Sequence, residues 1–311
     1  MAPSPETPET PETPETQGMP DLGPVGLWTS SGLWAAAGSD SAEAAAEIES
    51  LGYKALWLGT SAGDLELHAS LLAETSRLVV LSGIVSIWVD PPALVAESYR
   101  RVDAAHPGRI VVGLGSSHAP LLAPGEYRQP FTRLRHYLDD LDAISPTVPK
   151  KRRVLAALGP KTLGLAAQRS AGAHPYLTMP EHTAEARQIM GPSALLAPEQ
   201  KVILEADPGT ARAIARETLA MYLQLPNYTN NFLRMGFGED DLEGGGSDRL
   251  VDSLVAWGNM DTVLKRIAEH HAAGADHVCV QVLTSSDRHA GRLPRQEWRV
   301  LSSALGLSAK A

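Results

Sequence analysis

The sequence predicts an α/β fold in which eight parallel strands close into a (β/α)8 barrel of the TIM type. Short apolar runs rich in β-branched residues alternate with amphipathic helical stretches, and eight such runs occur. The runs are almost continuously apolar, which is typical of parallel strands buried on both faces. They occupy residues 23–29, 55–59, 79–87, 109–115, 153–159, 173–179, 201–207 and 277–283.

Helical stretches connect these runs, as the right-handed strand–helix–strand units of a parallel sheet require. Asp40 precedes the first stretch and Pro208 opens a later one, and both residue types are common at helix N-termini. A doubly wound open sheet would show the same alternation, but the count of eight favours the closed barrel. The stretches lie at residues 41–51, 65–76, 92–105, 132–144, 161–170 and 181–190.

Two connections between predicted strands carry insertions, one after strand 4 and one after strand 7. The first, at residues 116–130, contains Pro120, Pro124 and Pro130, so a helix cannot begin directly after the strand. The second, at residues 208–276, surrounds a stretch rich in Asn and Gly. In a barrel such loops gather at the catalytic face, so we expect lids or substrate walls there.

The first 22 residues predict a disordered tail, which leaves residues 23–311 as one barrel domain. A Pro-Glu-Thr triplet repeats from Pro5 onward, and five acids with no base precede Leu22. Prolines remove backbone donors and the acids repel one another, so this segment cannot form a core. It also lacks the basic start and apolar centre of a secretory signal.

Charge and cysteine content exclude several classes of protein. The formal net charge is -9 and no basic stripe occurs, so neither nucleic acid nor an anionic membrane is an expected partner. Cys279 is the single cysteine, which rules out an intramolecular disulfide. No apolar run approaches the ~20 residues of a membrane span. We therefore expect a cytoplasmic protein that acts on a small-molecule substrate.

A glycine-rich segment follows the fourth predicted strand. Gly113, Gly115, Ser116, Ser117 and His118 resemble part of a dinucleotide fingerprint, but a histidine replaces the third glycine and no helix follows directly. At a barrel strand end, bare glycines let a planar ring or a phosphate approach the backbone, and the serines donate hydrogen bonds. The segment therefore predicts a cofactor contact, with a plain turn as the alternative.

A second candidate site joins the fifth strand to its helix. Pro160 suits the first helical turn, because its missing N–H has no partner there in any case. The free amides of this helix start, together with Gly159 and the ammonium of Lys161, predict a phosphate cradle. An ordinary helix start without a ligand is the alternative.

Histidines at strand ends are the candidates for proton chemistry. His174 and Tyr176 lie two residues apart on one predicted strand and therefore share a face. Together with His118 they could donate a proton or anchor a substrate, although a core histidine remains the alternative. The sequence has no Walker-type phosphate loop, and the pattern favours an enzyme that borrows its chemistry from a cofactor.

Several stretches resemble the luciferase-like monooxygenase superfamily, and in particular its branch that uses the deazaflavin coenzyme F420. The similar stretches lie at residues 108–120, 155–161, 173–176, 227–231 and 274–281, and the similarity as a whole runs from residue 24 to residue 305. The resemblance implies a barrel enzyme, usually a homodimer, that transfers a hydride between F420 and a small organic substrate.

The resemblance also implies where the cofactor lies. It places the ring against a non-prolyl cis peptide in the third strand, and the matching pair here is Gly83 and Ile84. It places the ring and its tail near Gly115, Ser116 and Ser117. The phosphate would lie near Gly159, Pro160 and Lys161.

One position departs from the family pattern. Many relatives end the second strand with an acid or a histidine, whereas this chain has Thr60, a hydroxyl that is a poor acid near neutral pH. Thr60, Asp64 and His174 are therefore the alternatives for the proton. Trp28, Trp88 and Tyr176 are expected to wall the substrate pocket, unless the tryptophans belong to the core.

Two alternatives to this function stay open. An FMN-dependent luciferase-like monooxygenase would use the same fold with a flavin that reacts with oxygen. A barrel that binds the cofactor without turnover would fit the missing acid at the second strand. The sequence has no paired histidine or cysteine motif, so no metal site is expected.

Overall fold

The computed structural model describes residues 18–117, 127–285 and 292–307, and a wholly parallel sheet runs through them. The order of neighbouring strands is β10-β9-β11-β1-β2-β3-β5-β6-β7-β8, and β4 pairs with β5. The strands are β1 Val25–Ser30, β2 Ala55–Gly59, β3 Val79–Ser82, β4 Val85–Ser86, β5 Ile110–Gly115, β6 Arg153–Leu155, β7 Gly172–Ala173, β8 Leu195–Leu196, β9 Glu199–Ile203, β10 Val255–Trp257 and β11 Val278–Val282.

Backbone hydrogen bonds close this sheet into a ring. The segment 195–203, which contains β8 and β9, bonds on one side to β7, where the Ala197 N–H donates to the carbonyl of Ala173 at 3.0 Å. On the other side the Cys279 N–H of β11 donates to the carbonyl of Pro198 at 2.9 Å. The segment 195–203 therefore forms one kinked strand of the barrel, with β7 on one side and β11 on the other. The predicted β/α barrel is confirmed.

Helices cover the outside of the ring, and proline opens many of them, as expected for the first helical position. No helix in the described ranges is both long enough and apolar enough to cross a membrane. The helices are α1 Ser31–Ala37, α2 Asp40–Ser50, α3 Glu66–Ala73, α4 Pro92–Ala105, α5 Pro130–Asp142, α6 Pro160–Arg169, α7 Pro180–Met190, α8 Pro208–Tyr222, α9 Pro226–Arg234, α10 Asp248–Leu254, α11 Met260–Ala272 and α12 Arg295–Leu305, with short 3₁₀ turns at Lys150–Arg152 and Glu239–Leu242.

The third predicted strand is interrupted by a bulge between β3 and β4. Leu81 lies opposite Val111, whereas Val85 lies opposite Leu114, so the bulged strand contains one extra residue. The peptide bond between Gly83 and Ile84 in this bulge is cis, as the family resemblance implied. The bulge brings backbone without a side chain to the carboxyl end of the barrel.

Glycines in the neighbouring strand leave room for this bulge. A Cβ on Gly113 would lie only 2.0 Å from the carbonyl oxygen of Ser82, a separation that no side chain can occupy. A Cβ on Gly115 would lie 3.0 Å from Cγ1 of Ile84 and 2.9 Å from Cβ of Ala156. These two glycines are therefore required by packing inside the strand.

The segment before β1 also belongs to the folded part. Leu22 is buried, and the Lys54 ammonium donates to the carboxylate of Asp21. His277 donates from Nδ1 to the carbonyl of Gly23 at 2.7 Å. Ordered contacts thus begin before the predicted boundary at residue 22, while residues 1–17 of the predicted tail lie outside the described ranges.

Five histidines are buried in the described part of the barrel and its helical layer. Burial lowers the pKa of His182, and the other four show larger shifts. Burial lowers the pKa of His68, His174 and His277 to about 4, and the pKa of His270 to about 3. His270, for example, contacts Thr183 and Gln200 at 2.8 and 2.9 Å. These four imidazoles are therefore neutral at pH 7.

The packing around the bulge gives a first prediction. Gly113→Ala should lower the free energy of unfolding by about 3 kcal/mol, because the new Cβ would overlap the Ser82 carbonyl. Gly164→Ala is the matched control: this glycine lies within α6, and its Cβ would meet nothing within 4 Å. The control should gain up to ~1 kcal/mol of helix stability. Equal urea midpoints for Gly113→Ala and the wild type would contradict the described bulge.

The buried histidines make stability depend on pH. In the unfolded chain an imidazole has a pKa of about 6.5, so between pH 6.5 and about 4 the unfolded state binds protons that the folded state does not. The free energy of unfolding should therefore fall as pH drops through this window, by roughly 1–2 kcal/mol per buried histidine at pH 5. Urea unfolding at several pH values measures this loss.

One variant isolates a single contribution to that slope. His68→Gln removes one buried imidazole, so the pH dependence of the unfolding free energy should become shallower by about one proton. His136→Gln, on an exposed position of α5, should leave the slope unchanged. A stability that stays flat down to pH 5 in the wild type would show that these histidines are not buried.

Candidate active site

A cavity of about 590 Å³ opens at the carboxyl ends of the barrel strands, a size that suits a cofactor or substrate. Catalytic groups of β/α barrels gather at this end. Many of the residues singled out from the sequence line the cavity, namely Trp28, Thr60, Gly83, Ile84, Ser116, Ser117, His174 and Tyr176.

His174 presents a hydrogen-bond acceptor to the cavity. Its Nδ1 lies 2.7 Å from the carbonyl oxygen of Ala197, so Nδ1 carries the proton and donates it. The ring stacks on Trp57 with 4.2 Å between centroids. Nε2 is therefore the unprotonated nitrogen, and it is buried without a partner. Since burial lowers the pKa of His174 to about 4, this nitrogen is free to accept at neutral pH.

A matching donor lies beside it. The indole Nε1 of Trp28 is also buried and unpartnered. A Cβ on Gly83 would lie 2.8 Å from this nitrogen and 3.3 Å from Nε2 of His174, so the two nitrogens flank one bare glycine. Among the described residues, these are the only unpartnered buried polar atoms whose residues line the cavity. An unpaired buried donor and acceptor cost free energy until a ligand satisfies them.

Hydroxyl groups line the cavity at the carboxyl ends of β2 and β5. Thr60 has a φ of 55° and Ser117 a φ of 50°, both in the left-handed region. A positive φ is unusual for a β-branched residue such as threonine, and such conformations cluster at ligand sites. Ser116 donates only a long hydrogen bond, 3.5 Å, to the carbonyl of Pro130. These hydroxyls are thus available to a ligand.

A carboxylate that sequence analysis missed also lines the cavity. Asp90 is half-buried there, and burial raises its pKa, with the charge of Asp64 adding to the shift. Asp64 itself is exposed and is not among the lining residues. In the sequence, Asp90 precedes two prolines at the start of α4, where an aspartate is expected simply as a helix-capping residue.

The predicted phosphate cradle lies at the edge of the cavity. Gly159, Pro160 and Lys161 form the start of α6, and their neighbours Leu158 and Thr162 line the cavity. A Cβ on Gly159 would meet nothing within 4 Å, so the approach to this helix start is open. Pro160 has no N–H, and the amides of Thr162 and Leu163 both donate to the carbonyl of Gly159 at 3.0 Å, so within the first turn the amide of Lys161 is the one left for an anion.

Two predicted residues stand apart from the cavity wall. Gly115 lies inside β5, where it serves packing. Trp88 packs on Tyr127, which does line the cavity, with 5.4 Å between ring centroids, and the Arg133 guanidinium lies 5.7 Å from its ring centroid. His118 lies outside the described residues.

An aromatic wall closes the cavity on the insertion side. Tyr176 lies 5.2 Å from the ring of Trp28 and 5.5 Å from the ring of Tyr222, and Tyr228 lies 5.2 Å from Tyr222. Tyr222 and Tyr228 come from α8 and α9, within the insertion after strand 7. Sequence analysis missed both, although the stretch 227–231 was singled out through the family resemblance.

A buried ion pair supports this wall. The Lys201 ammonium donates to Oε1 of Glu199 at 3.0 Å and to Oε1 of Gln281 at 2.9 Å. It also lies 3.8 Å from the centroid of the Tyr176 ring. Burial lowers the pKa of Lys201 to about 8 and raises the pKa of Glu199.

In the described part of the chain, no group of histidine, cysteine or acidic side chains could hold a metal ion.

The sequence profile of the luciferase-like monooxygenase family matches residues 24–277. The chain belongs to this family. The match spans β1 to β10 and the residues that line the cavity, so the resemblance to the luciferase-like family is confirmed. No curated protein matches the chain in sequence.

Several solved enzyme structures share the fold across almost the whole chain. An F420-dependent secondary alcohol dehydrogenase in complex with an F420-acetone adduct has a TM-score of 0.69 at 14% identity, covering 92% of this chain and 99% of its own. The oxygenating constituent of 3,6-diketocamphane monooxygenase from Pseudomonas putida, in complex with FMN, has a TM-score of 0.64 at 14% identity, covering 90% and 97%.

A third relative uses F420 again. The coenzyme F420 dependent tetrahydromethanopterin reductase from Methanopyrus kandleri has a TM-score of 0.59 at 15% identity, covering 90% of this chain and 97% of its own. Both coenzymes therefore occur on this fold. The chain is a member of an oxidoreductase family whose structural relatives bind either F420 or FMN.

The buried ion pair of this luciferase-like barrel gives a further prediction. Lys201→Met should lower the free energy of unfolding by about 3–5 kcal/mol, because Glu199 would stay buried without a countercharge. The double variant Glu199→Gln/Lys201→Met removes both charges and should recover most of this loss. Urea unfolding at pH 7 measures both. If the single and double variants were equally destabilised, electrostatic pairing could not be the reason.

Proposed function

We propose that this luciferase-like barrel transfers a hydride between coenzyme F420 and a small organic substrate that carries an alcohol or a carbonyl group. One observation carries the proposal: Trp28 offers an unpartnered donor and His174 an unpartnered acceptor on either side of Gly83. An alcohol oxygen, which both accepts and donates, satisfies the two nitrogens at once. The expected homodimer and the cytoplasmic location remain predictions.

The residues at the strand ends fit a tricyclic ring with a phosphorylated arm. The bare backbone of Gly83 and Ile84 would support the ring, and the hydroxyls of Ser116 and Ser117 would bond to its edge or tail. The open helix start at residues 159–161 would hold the phosphate. When bound there, F420 supplies a ring carbon that gives or takes a hydride.

The chain's own residues handle the oxygen and the proton. In the oxidation of an alcohol, Nε2 of His174 would accept the proton of the substrate hydroxyl as the substrate carbon gives up a hydride. The indole N–H of Trp28 donates to the same oxygen and holds it in place. In the reverse direction His174 returns the proton. Thr60 and Asp90 line the same cavity, and they and His118 are further candidates for this transfer.

A second function, FMN-dependent monooxygenation, is favoured by the FMN complex of the Pseudomonas putida relative. The two coenzymes demand different things of the protein. Hydride transfer from an alcohol carbon needs a proton acceptor beside the alcohol oxygen, which Nε2 of His174 provides.

Separate titrations with F420 and FMN test the coenzyme. We expect F420 to bind at least about tenfold more tightly than FMN, as measured by fluorescence of each coenzyme at equilibrium. Tight FMN binding accompanied by oxygen consumption with NADH-reduced flavin would reject the proposal.

A variant of His174 tests the chemistry. His174→Gln should lower kcat by about 10²–10⁴-fold for the best alcohol or enone of a substrate panel, while F420 affinity changes little. His136→Gln, at an exposed position that does not line the cavity, is the control and should keep wild-type kcat. An unchanged kcat in His174→Gln would exclude this residue from the proton transfer.

A further inference from the structure

The direction of every hydrogen bond between the buried ion pair and the aromatic wall follows from one fixed charge. Lys201 and Glu199 are almost completely inaccessible to solvent, with side-chain exposures of 0% and 1%. An ammonium group only donates, so Gln281 must turn its amide oxygen toward Nζ of Lys201, as the 2.9 Å contact shows. The orientation of the Gln281 amide is therefore set by the buried charge.

The same reasoning passes to the two tyrosines. The hydroxyl of Tyr176 lies 3.0 Å from Oε1 of Gln281, and an amide oxygen carries no proton, so Tyr176 must donate. The hydroxyl of Tyr222 lies 2.9 Å from that of Tyr176. Because the single proton of Tyr176 is already used, Tyr222 must donate to Tyr176.

The chain of bonds ends at the cavity with a hydroxyl whose proton is committed. Tyr222 lines the cavity and has only lone pairs left for a ligand. A carbonyl or ether oxygen placed there would face these lone pairs without a proton between them. A hydroxyl or an N–H group would instead complete the chain.

We propose that Tyr222 is a specificity-determining acceptor that selects substrates bearing a second hydrogen-bond donor, an O–H or N–H group, on a flat apolar body. The flat body follows from the rings of Trp28, Tyr176 and Tyr228 that surround the position. Calling this ligand a substrate rests on the proposed hydride transfer, in which a different part of the molecule meets His174. The selection itself is a property of binding and needs no turnover.

Two probes test the selection, one with a hydroxyl proton and one with a methyl group on the same oxygen. 2-Naphthol carries a donor and 2-methoxynaphthalene carries only an acceptor, and both are flat and apolar. Isothermal titration calorimetry of the protein without coenzyme should show that 2-naphthol binds about tenfold more tightly than the ether. The difference corresponds to one hydrogen bond to Tyr222 that the ether cannot donate. Tyr222→Phe should reduce this preference to less than about twofold.

A second variant should free the hydroxyl proton of Tyr222 for a ligand. Tyr176→Phe removes the acceptor of the Tyr222 proton, so that proton becomes available to the cavity and binding of the ether should improve several-fold. Tyr99→Phe, a buried tyrosine of α4 outside the cavity, is the matched control and should retain the wild-type preference. Thermal melting of each variant verifies that it is folded.

The outcomes separate this proposal from the proposed function. A full naphthol preference in Tyr222→Phe would overturn the role of Tyr222 and assign the selection to another acceptor such as His174. Unchanged ether binding in Tyr176→Phe would overturn the inferred bond direction. Because the titrations contain no coenzyme, a failure of hydride transfer leaves these results as they are.

Discussion

The free-energy cost of burying a polar group without a partner explains how the buried polar side chains of this barrel are arranged. Lys201 and Glu199 neutralise each other inside it, and His277 has partners at both ring nitrogens. His174 and Trp28 differ, because each turns one unpartnered buried nitrogen toward the cavity. Among the described residues that line the cavity, these two nitrogens alone are buried without partners. Since desolvated donors and acceptors cost free energy until they are bound, we propose that a ligand binds there.

The fold builds the site from opposite sides of the ring. The extra residue in the third strand brings Gly83 to the cavity floor, and Gly113 leaves the space that the bulge requires. His174 reaches the same floor from β7, oriented by the carbonyl of Ala197. Tyr222 joins from the insertion, oriented through buried charge. The local backbone thus determines the shape of the cavity. Hydrogen bonds between residues far apart in sequence determine which cavity groups donate and which accept.

Sequence patterns predicted the alternation of strands and helices, because buried apolar runs are local properties. The prediction that His174 and Tyr176 lie on one strand at 173–179 was wrong, since β7 ends at Ala173, although both side chains line the cavity. The patterns placed the seventh strand at 201–207, whereas β9 is Glu199–Ile203. The shift arises because three consecutive polar residues there are buried and satisfied by one another and by distant partners. Asp90 and Tyr222 could not be found for a related reason: their place in the cavity depends on segments that meet only in the folded chain.

The protonation of one imidazole tests the account most directly. ¹⁵N NMR of histidine-labelled protein, with His174→Gln to assign the resonance, reports which ring nitrogen carries the proton. The account predicts that His174 is protonated at Nδ1 alone and stays neutral from pH 8 down to about pH 5, leaving Nε2 as an acceptor in the cavity. Protonation at Nε2, or a charged ring at neutral pH, would contradict it.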